Sequence, residues 1–247
     1  AHALRLQANQ RPHLKLILMS ATLQTESLEA FLPDAKVVTS EGRTFPVDIQ
    51  FLDRPADPMK TKVWDQATRA AEHLVKKTEG DVLIFMPGRF EIDRTIESLK
   101  RSALRSTMGI YPLHGDLSVE AQDKAVTPGS ERRIIVSTNI AETSLTLEGV
   151  TGVVDSGLAR QARFDPHRKT DHLEVVPISK ASADQRAGRA GRTAPGTCIR
   201  LWTETAHARR PARETPEIHR VDLAEAVLMF RKLGVTDWST LALPDPP

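Results

Sequence analysis

The sequence predicts an α/β fold: a doubly wound, mostly parallel sheet with an inserted β-hairpin, followed by the start of a helical domain. Two observations predict it. Short apolar runs alternate with segments of helical periodicity, as where residues 81–86 (DVLIFM) precede Ile92, Ile96 and Leu99. The alternation then breaks at 158–178, where two extended runs flank the turn-forming Asp165, Pro166, His167, Arg168 and Lys169.

The elements follow in order. Residues 14–19 (LKLILM) open into Ser20, Ala21 and Thr22 and read as a buried strand with hydroxyls at its carboxyl end. Leu28, Phe31 and Leu32 have the spacing of a short helix, Val37 and Val38 begin a second strand, and 41–46 (EGRTFP) carry the turn chemistry of a linker. Val63, Ala67, Ala70, Ala71 and Leu74 share one helical face, and Gly80 suits its stop. Further strands are expected over 81–86, 110–113, 133–137 and 150–155, and Ser118 caps a short helix ending near Val126. Leu223, Ala226, Val227, Phe230 and Leu233 form an amphipathic helix ended by Gly234, which we assign to a following domain. In such a fold the functional loops lie at the carboxyl ends of the strands, where Ser20, Gly88, Thr138 and Asp155 fall.

Composition narrows the class. The 247 residues are 40% hydrophobic and 27% charged, a packed fold rather than a disordered chain. A net charge of +2 neither demands nor excludes nucleic acid, so any anion site must be local. Cys198, the single cysteine, has no partner for an internal disulfide, which suits a reducing compartment. No apolar stretch reaches the length of a membrane span and no secretory signal opens the chain. These features lead us to expect a soluble, cytoplasmic protein. The chain starts within a helical pattern and stops at 244–247 (PDPP), just after another, so we expect a fragment.

The chemistry is concentrated in 185–192 (QRAGRAGR). Ser182 and Gln185 have capping-box spacing, so a helix is expected to start at Ser182. On that helix Gln185, Arg189 and Arg192 project from one face, with Gly188 leaving the same arc unobstructed. Two guanidinium forks, an amide and a flat backbone suit a polyphosphate whose charge develops during phosphoryl transfer. The plainer alternative is a solvated basic helix. Two glycines cost about 2 kcal/mol of helix propensity against alanine, which a merely solvated helix has little reason to carry.

With these residues in view, the chain resembles the DEAH-box and related superfamily 2 helicases, and in wording the bacterial HrpB type. The run 185–192 is similar to motif VI and 138–149 (TNIAETSLTLEG) to motif V. Ser20, Ala21 and Thr22 resemble motif III, and 83–88 (LIFMPG) motif IV. The motifs span 14–192 in the family's order.

The resemblance implies two RecA-like domains clamping a nucleotide. It divides the chain into the end of the first (1–43), the second (44–205) and the start of a winged-helix region (206–247). It implies that Arg189 and Arg192 are arginine fingers and that Gln185 reaches the γ-phosphate or the attacking water, while Arg186 braces the fold. Ser144 and Glu148 match positions facing the nucleotide, although the family usually has Asp where Glu148 stands. Thr138 and Asn139 match positions holding the RNA backbone; on residue type alone they are turn formers. Gly88 matches a position where a backbone amide meets RNA phosphate; without the family it is equally a helix-start glycine. Arg160 and Arg163, with Arg168 and Lys169, lie on the hairpin that the family places against nucleic acid. Ser20 and Thr22 would couple the domains. Ala125 and Val126 offer no aromatic ring where many relatives stack adenine, which implies weak base selectivity.

The chain holds no Gly-x-x-x-x-Gly-Lys-Ser/Thr and no Asp-Glu-x-His ahead of motif III. Those motifs cradle phosphates and hold Mg²⁺. The expected cofactor is ATP with Mg²⁺, its metal ligands upstream. The expected partners are the missing amino-terminal RecA-like domain and single-stranded or partly duplex RNA, with no membrane. The function implied is part of an ATP-dependent RNA helicase moving 3′ to 5′, inactive in isolation. The alternative is a non-catalytic RNA-binding module of helicase ancestry, against which the intact finger set argues. An unrelated nucleotide-binding α/β protein fits poorly, because the phosphate signature opens a late helix rather than following a first strand.

Overall fold

A computed structural model of the chain describes residues 2–19, 25–38, 45–55, 57, 60–143, 145–237, 241 and 243. Its contacts divide the chain into two units, Gly42–Gln161 with Leu173–Glu214, and Ala1–Glu41 with Ala162–His172 and Thr215–Pro247.

The larger unit is built on a six-stranded sheet: β1 (Val47–Phe51), β2 (Asp81–Phe85), β3 (Gly109–Leu113), β4 (Arg133–Ser137), β5 (Val150–Asp155) and β8 (Gly196–Arg200). Their order across the sheet is β1-β8-β5-β2-β4-β3, and every pairing is parallel. The smaller unit opens with α1 (His2–Asn9) and α2 (Thr25–Phe31); between and after the strands of the sheet run α3 (Val63–Lys77), α4 (Arg89–Arg101), α5 (Val119–Val126), α6 (Ile140–Thr143), α7 (Lys180–Gly188) and α8 (Glu204–Ala208). Two strands, β6 (Leu158–Asp165) and β7 (Thr170–Pro177), form the separate hairpin. The doubly wound sheet and inserted hairpin are as the sequence predicts.

Strand alternation divides the core into two faces. Val82, Ile84, Ile134, Val136 and Val154 pack with α3 and α4, burying Ala67, Ala71, Leu74, Ile92 and Leu99. The intervening Leu83, Phe85, Ile135 and Val153 pack with Ala125, Ala141 and Ala187 from α5, α6 and α7. Helices on both faces explain why β2 and β4 are buried at every position and read as unbroken apolar runs rather than alternating ones. Because the strands are parallel, the ends of β2, β4 and β5 open toward the same edge, and the motif loops leave from there.

Several local expectations are met at the residue level. Ser118 Oγ accepts from the Ala121 N–H at the start of α5, and α9 (Ala224–Lys232), in the smaller unit, is followed by Gly234 at φ +76°. Others are corrected. Residues 14–19 and Val37–38 form no strand; Ile17, Met19 and Val38 are 81%, 88% and 89% exposed. A strand needs a hydrogen-bonded neighbour, and no described residue pairs with either run. The phosphate-signature helix begins three residues earlier than the capping-box spacing suggests. Ser179 is its N-cap and accepts from the Ser182 N–H. Residues 41–44 of the expected linker lie outside the described residues.

Glycines at the end of α7 serve different ends. After Gly188 the chain tightens into a 3₁₀ turn over Arg189–Gly191. A Cβ on Gly191 would stand 2.5 Å from the Phe45 carbonyl oxygen and 2.7 Å from Val47 Cγ2, so packing against the approach to β1 excludes any side chain. Gly188 has ordinary helical dihedrals (φ −58°, ψ −17°), is exposed, and a Cβ there would meet nothing within 4 Å. Within this chain neither conformation nor packing requires glycine at 188. The two substitutions should therefore have opposite signs. We expect Gly188→Ala to stabilise the fold by about 0.5–1 kcal/mol, and Gly191→Ala to destabilise it by about 1–3 kcal/mol. Thermal unfolding of the two variants, read against the unsubstituted chain, checks this.

Candidate nucleotide and nucleic-acid site

The loop after β4 and the end of α7 meet at the carboxyl edge of the sheet. Thr138 follows β4 directly; its N–H bonds the Leu113 carbonyl, and its Oγ1 lies 3.5 Å from the Ile140 N–H. Asn139 is exposed, and its carbonyl accepts from the Glu142 N–H, which winds the single turn of α6. The hydroxyl and amide side chains of 138–139 are thus carried at a strand end and open to solvent on the Asn139 side.

Two arginines of the phosphate signature reach into this loop. Arg186, 1% exposed, donates from Nε to Glu142 Oε2 at 3.0 Å and from Nη1 to Asp155 Oδ1 at 2.9 Å. Its guanidinium lies 4.8 Å from the Phe85 ring centroid. Burial works against its charge, the two carboxylates favour it, and the outcome is a pKa held above the usual arginine range. Asp155 is itself fully buried, and its Oδ1 also accepts from the Gly157 N–H. Strand end, motif loop and α7 are therefore fastened by one side chain, the bracing role expected of Arg186.

Arg189, also 1% exposed, is likewise turned to the loop. Nε donates to the Glu142 carbonyl at 2.9 Å, Nη2 to the same oxygen, and Nη1 to the Leu145 carbonyl. A cation at the end of a short helix supplies donors to carbonyl oxygens, here Glu142 of α6 and Leu145 beyond it, that the helix itself leaves open. Burial first, then repulsion from Arg192, lowers the Arg189 pKa to about 10. It remains protonated at neutral pH.

The expectation that Gln185, Arg189 and Arg192 share one helical face is corrected here. The α-helix ends at Gly188, and the 3₁₀ turn that follows carries Arg189 inward and leaves Arg192 exposed, with no partner among the described residues. Gln185 is half-buried on α7. The open surface at this point is formed by Gly188 and Arg192.

The nucleic-acid candidates are partly brought together. Gly88 is the N-cap of α4 and is covered by Arg160: a Cβ on Gly88 would stand 2.8 Å from Arg160 Nε. The Arg160 side chain is 41% exposed, and its other neighbour is Glu91, 3.9 Å away. The motif IV glycine and the hairpin arginine thus stand in contact, a guanidinium over a bare backbone. Arg163 is exposed further along β6, and its segment is grouped with the smaller unit. Glu148 is exposed in the loop before β5. Ser20, Thr22 and Ser144 lie outside the described residues. Among the described residues no group of three or more His, Cys, Asp or Glu side chains could hold a metal ion, and no helix is long and apolar enough to cross a membrane.

Sequence reasoning passed over the structural part of Glu142. Its signal was its place in the motif loop, but the partner that gives it meaning is 44 residues away.

Comparison with known proteins agrees with this geometry. Residues 65–194 match the helicase conserved C-terminal domain. The chain is 38% identical over 240 residues to "ATP-dependent RNA helicase HrpA" of Escherichia coli, covering 96% of this chain and 18% of that protein. It is 39% identical over 246 residues to "ATP-dependent RNA helicase HrpB" of the same organism (99% and 30%). To human "Probable ATP-dependent RNA helicase DHX34" it is 38% identical over 248 residues (96% and 22%). The crystal structure of the Escherichia coli DEAH/RHA helicase HrpB superposes with a TM-score of 0.90 at 39% identity, over 99% of this chain and 31% of that one. The chain thus spans less than a third of the length of each of these relatives. With 65–194 matched and the motif loops assembled at one sheet edge, the chain belongs to the helicase conserved C-terminal domain family, as the corresponding region of a DEAH/RHA helicase.

Proposed function

We propose that the chain is the carboxy-terminal part of the motor of an ATP-dependent RNA helicase. It would couple ATP hydrolysis to movement along, or unwinding of, single-stranded or partly duplex RNA in the 3′-to-5′ direction, in the cytoplasm. The observation that carries the reading is the joining of two loops. The turn proposed to hold the RNA backbone and the helix end proposed to face the nucleotide are fastened by Arg186 and Arg189. One rigid piece that meets both ligands is a physical route for coupling them.

In this reading residues 44–205 are the second RecA-like domain, 1–43 the end of the first, and 206–247 the start of a winged-helix region. Arg192, exposed beside the side-chain-free surface of Gly188, meets the polyphosphate as a finger, with Arg189 as the second and Gln185 toward the γ-phosphate or attacking water. The open face at Gly188 fits a close-approaching phosphate, which gives that glycine the purpose that packing within the chain does not. Ser144 and Glu148 face the nucleotide, and Ser20 and Thr22 link the domains. Thr138, Asn139, Gly88, Arg160 and Arg163 hold the RNA backbone, so recognition depends little on sequence. Mg²⁺ comes with the ATP, held by residues of the preceding domain, and no step here is assigned to metal ligands on this chain.

A non-catalytic RNA-binding module is the second reading, favoured by the Gly88–Arg160 contact, which needs no hydrolysis. The two part in a nucleotidase assay on the complete reading frame, with its P-loop domain, with and without single-stranded RNA. We expect RNA-stimulated hydrolysis that falls about 10³-fold in Arg192→Ala. RNA binding without hydrolysis in the unsubstituted protein would replace this reading with the second. The 247-residue chain alone should show no ATP turnover above background. Because Val126 supplies no ring to stack on the base, GTP, CTP and UTP should support hydrolysis within about tenfold of ATP in kcat/KM; strict dependence on ATP would remove this account of selectivity.

A further inference from the structure

Glu142 is the point at which both inward-turned arginines hold the loop. Its side chain receives Arg186, at 3.0 Å from Nε, and its backbone carbonyl receives Arg189, at 2.9 Å from Nε. The second oxygen-bearing partner of Arg186, Asp155, is fixed in the strand end, fully buried and bonded to the Gly157 N–H. Arg186 is thereby anchored to the sheet, and Glu142 is the side chain of the loop that reaches it. The grip on Arg186 and the acceptor that orients the Arg189 guanidinium thus belong to one residue of the loop.

We propose that Glu142 is a positioning residue for phosphoryl transfer: its carboxylate, gripped by Arg186, sets the height of the loop carbonyls that hold the Arg189 guanidinium inward until a bound nucleotide draws it out. This rests on the reading of Arg189 as a finger. Glu142 touches no nucleotide in this scheme. It acts through the finger, and it lies three residues beyond Asn139 on the same turn, whose carbonyl bonds the Glu142 N–H at 2.9 Å. A pull on Asn139 from an RNA backbone is transmitted to the same carbonyl.

The length of the side chain is what matters in this arrangement. Glu142→Asp keeps the charge but shortens the link by one methylene, drawing the loop toward Arg186 or breaking the contact. Glu142→Gln keeps the length and an oxygen acceptor for Nε–H. A displacement of this size at a group that aligns a reacting centre is expected to lower kcat by about tenfold or more. KM for ATP should stay within about threefold, since no ground-state contact to the nucleotide is lost.

The test uses the complete protein and steady-state ATP hydrolysis under saturating RNA, for Glu142→Asp, Glu142→Gln and Arg189→Ala, with Glu142→Asp also made in the Arg189→Ala background. The proposal expects Glu142→Asp to lower kcat at nearly constant KM and Glu142→Gln to remain within about threefold of the unsubstituted protein. In the Arg189→Ala background, Glu142→Asp should have no further effect, because the group it positions is gone. A loss from Glu142→Asp that multiplies unchanged onto Arg189→Ala would overturn the proposal while leaving the finger reading intact. So would a Glu142→Asp protein with normal kcat. An Arg189→Ala protein that hydrolyses ATP normally would overturn the finger reading and this proposal with it. Melting temperatures of the same variants identify any loss that comes from unfolding, and Glu142→Gln provides the conservative rescue that a simple requirement for negative charge would not show.

Discussion

A single buried guanidinium holds the functional edge of this domain together. Arg186 is withdrawn from water between Asp155, at the end of β5, and Glu142, in the loop after β4, with the Phe85 ring beneath it. Removing charges from water is costly, and such a cluster is favourable only when every member is paired. The consequence is a strong geometric condition. The strand end, the motif loop and α7 can each move only if the others follow or if a buried charge is left without its partner. Loss of one partner from a buried pair commonly costs about 3–5 kcal/mol, a large share of the net stability of a domain this size.

The rest of the site depends on that condition. With α7 fixed, the chain beyond Gly188 tightens into a 3₁₀ turn, and the turn is closed by Gly191 pressed against the Phe45 carbonyl and Val47. That closure turns Arg189 inward onto the loop carbonyls and Arg192 outward. The same sequence pattern therefore yields one arginine that ties loop to helix and one that faces solvent. A solvated basic helix would show neither a buried arginine pair nor a glycine at which backbone contact excludes a side chain. The parallel sheet supplies the frame, since it brings the ends of β2, β4 and β5 to one edge and keeps their side chains buried on both faces.

Much of this was legible in the sequence. The strands at 133–137 and 150–155 were defined by apolar runs, α5 by Ser118, and the hairpin by the Asp165–Lys169 turn, because each signal is local. The functional segments were legible for the same reason, being short runs of unusual composition. What could not be read was anything set by distant partners. The run 14–19 has the composition of a buried strand, but composition does not supply the neighbour that a strand requires. Ser179 and Ser182 are equally good capping residues, and the choice between them depends on tertiary packing. The single-face arrangement of Gln185, Arg189 and Arg192 assumed an unbroken α-helix, which the packing of Gly191 interrupts. Glu142 had no local signal beyond its place in the motif loop, because its meaning comes from Arg186 and Arg189.

The central claim is that Arg186 binds the motif loop to α7 as one unit, and amide hydrogen exchange of the 247-residue chain tests it most directly. Exchange would be followed residue by residue in the unsubstituted chain and in Arg186→Met. The account predicts that amides of the loop, Ala141, Glu142 and Leu147 among them, lose about 100-fold or more of protection in the variant beyond the acceleration of β2 and β4 amides, which follows the fall in global stability alone. Equal acceleration of loop and strand amides, or none in the loop, would contradict it, since the loop would then be held by the general packing of the domain and not by this side chain.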